Sequence, residues 1–116
     1  RQRQMCIRDR IISDDIPAAV VYEDEEVLGF NDINPQAPHH VLFIPRRHIS
    51  TLNDLKPEDA ALVGKLYLAA KAHAASLGVA EEGYRTVMNC NALAGQSVFH
   101  IHLHMLAGRA MHWPPG

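Results

Sequence analysis

No apolar run in the 116 residues is long enough to span a bilayer, and no secretory apolar core lies near the start. A membrane partner is therefore not expected, and a cytoplasmic location is. Cysteine is scarce. Cys6 and Cys90 stand far apart and form no C-x-x-C pair. That argues against a disulfide scaffold and a cysteine zinc knuckle, and it fits a reducing compartment. There is no internal repeat and no low-complexity tract, and the length suits one domain with a real core. A strong basic balance is also missing. The formal net charge is −2, with +3 on residues 1–10 (RQRQMCIRDR) and −5 on the remainder. A body of that sign is a poor partner for a phosphate backbone, so no nucleic acid is expected.

The basic head has no periodicity and changes charge sign abruptly at Ile11. It reads as a disordered tail or a foreign stretch, with the folded domain running over residues 11–116. Ile11, Ile12 and Ile16-Pro17 suit a short helix or turn docked on the core. Val20–Asp24 and Val27–Asp32 read as strands joined through an acidic hairpin turn. Asn34 to Pro38 is a loop, because proline breaks ladders and restricts its predecessor. His40–Ile44 is a dense apolar strand stopped by Pro45. Pro57 to about Leu77 is the main helix. Pro57 suits its first position and Glu58 and Asp59 its positive end. Leu62, Val63, Leu66, Ala69, Ala70 and Leu77 recur near a period of 3.6, and Gly78 suits the cap. Tyr84–Asn89 and Val98–Leu106 complete five strands. Short links favour antiparallel pairing, hence an α+β fold.

Histidine is plentiful. There are eight, and four fall in the last seventeen residues. Residues 99–106 read FHIHLHML, so His100, His102 and His104 alternate with Ile101 and Leu103. On an extended strand, residues two apart share a face. One face would be apolar and the other all imidazole. A metal site is one reading, since neutral imidazole is a good ligand. Three successive same-face rings on one strand rarely converge on an ion, however, and no further ligand lies within the histidine strand or its flanks. Nucleophilic catalysis is the second. A histidine can attack phosphorus if one ring nitrogen is free and the other is held by an acceptor. Gly95-Gln96-Ser97, just upstream, could bring backbone N–H groups and a hydroxyl to a phosphate. Chance alternation is the third, with at least one histidine expected to be structural. His39, His40 and His73 read as surface or structural residues.

The combined motifs resemble the histidine triad (HIT) family. DINPQAPHHVLFIPRRHIS (residues 32–50) is similar to the family's upstream block. AGQSVFHIHLHMLAGRAMHWPPG (residues 94–116) is similar to its nucleotide-binding HINT branch. The resemblance implies a five-stranded antiparallel sheet with one main helix and a short N-terminal helix, two copies joining into a continuous sheet. It implies a purine nucleoside phosphoramidase that cleaves AMP-linked amines, with no metal and no cofactor. His102 would attack the α-phosphorus, flanked by His104 and His100, with the His100 carbonyl orienting its ring and His48 as a fourth histidine. Asp32 would bind ribose. Asn89, Gly95, Gln96 and Ser97 would hold the phosphate region. Phe30, Ile33, Ile11 and Ile16 would form the purine pocket, and Trp113 would reach across a dimer. A hydrolase of dinucleoside polyphosphates (the Fhit branch) and a non-catalytic nucleotide-binding scaffold are the alternatives. Two departures stand out. Arg8 sits where an aromatic pocket residue is common, and Ala107 where glycine is frequent.

Overall fold

The computed structural model describes residues 19–116. The expected N-terminal helix, the basic head, Ile11 and Ile16 lie outside the described residues. Five strands form one sheet: β1 (Val20–Glu23), β2 (Val27–Asn31), β3 (His39–Pro45), β4 (Arg85–Val87) and β5 (Leu103–Ala107). Their spatial order is β1-β2-β3-β5-β4, and every neighbouring pair is antiparallel. One helix, α1 (Ala60–Leu77), connects β3 to β4. Among the described residues, no helix is long and apolar enough to cross a membrane.

Local chemistry accounts for the joints. Asp24 closes the β1–β2 hairpin by accepting from the N–H groups of Glu26 and Val27, both at 2.8 Å. Pro57–Asp59 forms a tight 3-10 turn that leads into α1, so the α-helix proper starts three residues later than the proline predicts. Gly78 ends it in the left-handed region at φ 77°, with Val79 N–H bonding back to the Ala74 carbonyl.

Alternation along β3 divides its side chains between two faces. Val41 and Phe43 join Leu103, Met105 and Ala107 of β5 and Leu66, Ala69, Ala70 and Ala74 of α1 in the main core. Leu42 and Ile44 pack with Leu28 and Phe30 on the opposite face. Among the described residues that second face carries no helix, and the site lies on it.

The last two strands are shorter than the sequence predicts. The chain bends at Val98–His100, and only Leu103–Ala107 pairs with β3. The edge strand β4 has β5 as its one partner, so it ends at Val87, opposite His104. Ala107 is buried in β5, while the positive φ of 98° falls on Gly108. Alanine at 107 therefore carries no backbone strain.

Asp59, just before α1, gives the fold an acid sensitivity. Its carboxylate accepts from Lys56 N–H at 2.9 Å and from the Arg47 guanidinium. Both lower its pKa, the Lys56 hydrogen bond most. A carboxyl with a depressed folded pKa stabilises above its unfolded pKa. That contribution fades as pH falls through the folded value. Melting curves should therefore show wild-type stability dropping more steeply than that of Asp59→Asn below about pH 4. Parallel curves for the two proteins would remove this assignment.

Candidate active site

The β3–β5 register builds the site. Leu42 pairs with His104, so His40, two residues back on β3, falls on the same face diagonally across from His104. The His40 Nε2 and His104 Nδ1 atoms lie 2.9 Å apart. The Asp32 carboxylate is 3.5 Å from the same His40 nitrogen. Gln36 N–H donates to the other ring nitrogen, His40 Nδ1, at 3.0 Å. Asp32 also accepts from Asn34 N–H at 2.8 Å, so it caps the turn and faces the site at once.

The three alternating histidines have three environments. His100 is fully buried, and its Nε2–H donates to the Pro45 carbonyl at 2.8 Å. It packs inside rather than continuing an open histidine face, because the chain bends there before β5 begins. Its carbonyl accepts from His102 Nδ1–H at 2.8 Å. Since a carbonyl cannot donate, His102 carries a proton on Nδ1, and the neutral form of the ring then has its lone pair on Nε2. His104 packs against His102 with ring centres 5.0 Å apart. Burial, with help from the neighbouring His102 and His40, pushes its pKa down to about 4.

A cavity of about 340 Å³ opens on this face. Of the residues singled out in the sequence, Phe30, Asp32, Ile33, Asn89, Gly95, Ser97, His102 and His104 line it. The loop that brings in Gly95 is a 3-10 turn (Ala92–Ala94) ended by that glycine at φ 96°, a conformation L side chains rarely adopt. Asn31, Leu42 and Val98 complete the wall.

Other residues singled out in the sequence lie outside that lining. Gln96 does not face the cavity. Its side chain accepts from Asn91 N–H and donates to the Ser50 and Val98 carbonyls, so it braces the loop from behind. His48 is exposed, pairs with the Ser50 hydroxyl at 3.0 Å and stacks edge-on against His100. A further histidine, His40, which sequence reasoning left outside the site, contacts His104. Trp113 is 81% exposed, outside the cavity lining, with the Arg85 guanidinium 6.0 Å from its ring centre. Asp32, His40 and His104 are the one group of three candidate metal-ligating side chains among the described residues, their donor atoms lying within 4.8 Å of one another.

A family model described as the HIT domain matches residues 13–111. The chain belongs to the HIT family. It is 53% identical over 110 residues to an uncharacterised HIT-like protein of Synechocystis, covering 95% of this chain and 96% of the relative. It is 49% identical to a protein of Zea mays named a 14 kDa zinc-binding protein, covering 95% and 87%. A crystal structure of a HIT family hydrolase from Legionella pneumophila superposes with a TM-score of 0.90 at 49% identity, covering 97% of this chain and all of the other. The sheet with its one main helix is thus the HIT fold. The alternating histidines, Asp32 and the Gly95 loop all lie within the residues that the HIT domain model matches.

Proposed function

We propose that this HIT protein is a purine nucleoside phosphoramidase that hydrolyses AMP-linked amines through an adenylyl-histidine intermediate. The observation that carries the reading is the His102 hydrogen bond to the His100 carbonyl. It leaves the Nε2 lone pair of His102 on a cavity wall, as a nucleophile requires. In this reading Nε2 attacks the α-phosphorus and the phosphorus–nitrogen bond breaks. The amine leaves with the bonding pair and takes a proton from solvent water. Water then cleaves the new nitrogen–phosphorus bond and releases AMP.

The cavity lining fits such a substrate. Ser97, whose N–H makes no backbone hydrogen bond among the described residues, lies beside Gly95 where the phosphate would sit. Asp32, an acceptor-only carboxylate, suits the ribose hydroxyls. Phe30 and Ile33 offer apolar surface to the base, Ile33 with 66% of its own area exposed. A base slot of this kind excludes other purines weakly, because base edges are told apart by hydrogen bonds. GMP derivatives therefore belong in the assay beside AMP derivatives. We extend the proposal to a homodimer in which edge strands continue one sheet and Trp113 reaches toward the partner's site.

The test is AMP release from an adenosine 5′-phosphoramidate in excess chelator, wild type beside His102→Ala. Release by wild type alone supports the mechanism. Release stopped by chelator would replace it with a metal-dependent one. Faster cleavage of diadenosine triphosphate than of the phosphoramidate would move the assignment to dinucleoside polyphosphates.

A further inference from the structure

We propose that Gln96 is a positioning residue that latches a strained loop, residues 91–96, in the shape that turns Gly95 and Ser97 toward the cavity. The nucleotide phosphate that these two residues would meet rests on the phosphoramidase reading; the strain and its latch do not.

Asn91 carries the strain. Its φ of 67° and ψ of −177° fall in a region that glycine alone occupies readily. Gly95, at φ 96°, meets its own positive φ in the same loop with a glycine. Asparagine visits positive φ when its side chain hydrogen-bonds locally. Here the Asn91 side chain is exposed and makes no hydrogen bond among the described residues. The compensation must come from other atoms of the loop.

Gln96 supplies it. The Asn91 N–H donates to Gln96 Oε1 at 2.7 Å, and the Gln96 N–H donates to the Asn91 carbonyl at 3.0 Å. Both backbone polar groups of the strained residue are thus spent on one partner. The amide nitrogen of Gln96 donates to the Ser50 carbonyl at 2.8 Å and to the Val98 carbonyl at 3.1 Å. Gln96 is only 5% exposed, so water cannot stand in for these contacts if its amide is lost.

The Ser50 contact also fixes where the loop stands. Ile49, next to Ser50, accepts from the Ile101 N–H at 2.8 Å. Loop and histidine segment are therefore hung from adjacent residues of one stretch, the loop by Gln96 and the histidines by the residue before His102. Gly95 and Ser97 flank the buried Gln96 and line the cavity together with His102. Releasing the latch would let Asn91 relax to negative φ, and the cradle would exist in only a fraction of the molecules. Affinity falls in proportion to that fraction.

Amide hydrogen exchange in the free protein tests the strain without any ligand. Opening of the loop frees the Gln96 N–H. Asn91→Gly should slow its exchange by about fivefold or more, and Asn91→Ala should speed it by a similar factor. The exposed side chain has no hydrogen bond to lose, so backbone strain is what the series reads. Equal rates in the three proteins would overturn the proposal. Calorimetric titration with AMP tests the positioning. Gln96→Met, which nearly keeps the volume and removes the amide, should weaken AMP binding by about tenfold or more. Adding Asn91→Gly removes the strain that opens the loop and should restore affinity to within about threefold of wild type. Equal losses in the single and double variants would overturn the latch, since an amide that merely filled space would not be rescued from across the loop. If Gln96→Met does not fold, the exchange rates of the Asn91 series decide alone. The expected exchange rates in a protein that binds no AMP would support the latch and remove the nucleotide reading.

Discussion

His102→Ala should lower AMP release by about 10⁴-fold or more while nucleotide affinity stays within a few fold. The asymmetry follows from where the ring sits. Its Nδ1–H is committed to the His100 carbonyl, and in the proposed mechanism its Nε2 is the atom that bonds phosphorus. The other proposed contacts to nucleotide come from different elements: Asp32 after β2, Asn89 after β4, and Gly95 and Ser97 in the loop before the histidines. Binding therefore survives loss of the nucleophile, and the covalent route does not. Single-turnover measurements with trapping of the phosphorylated protein would separate the two. Wild type should accumulate label on His102, and the variant none. A variant that turns over within tenfold of wild type would mean that water, not His102, attacks phosphorus. Equal losses in affinity and rate would instead mean that His102 chiefly shapes the pocket.

The fold was largely legible because its signals are local. Apolar periodicity marks α1, Gly78 marks its end, and the acidic turn at Asp24 marks the first hairpin. The extents of β4 and β5 were not legible. A strand at the sheet edge lasts only as long as its partner, and that partner is shortened by the bend at Val98–His100. The same bend explains the histidines. Alternation predicts one common face, but pairing starts only at Leu103, so His100 turns into the interior and lends its carbonyl instead. His40 was missed for a related reason. Alone in a sequence it is one histidine before an apolar strand. It enters the site only through register, once Leu42 is known to lie opposite His104. Gln96 shows what side-chain hydrogen bonds add: beside Gly95 and Ser97 it reads as part of a phosphate loop, and both ends of its amide hold that loop's shape.

Phe43→Ala should cost about 3–5 kcal/mol of folding stability, the range for emptying a fully buried aromatic site. Phe43 is completely buried in β3, edge-on to Tyr22 with ring centres 5.9 Å apart and to His73 at 6.1 Å. Its ring also occupies space left open by a glycine. A Cβ at Gly29 would stand 2.8 Å from Phe43 Cε1 and 3.0 Å from Tyr22 Cβ. Gly29→Ala should therefore destabilise by itself, by about 1–3 kcal/mol, through overpacking. The two losses should not add. Without the Phe43 ring the new methyl loses its two shortest contacts, keeps the one to Tyr22 and fills part of the void. Denaturant unfolding of the double variant should show a loss smaller than the sum by about 0.5 kcal/mol or more. Strict additivity would mean that the backbone of β2 shifts to admit the methyl and that the ring does not enforce glycine. The outcome bears on the site because β3 serves both faces. Phe43 anchors the strand on the core side, while Leu42 looks the other way toward the cavity and His40, on that same face, meets His104. A loosened β3 should therefore disturb the 2.9 Å contact between His40 and His104 before the protein unfolds.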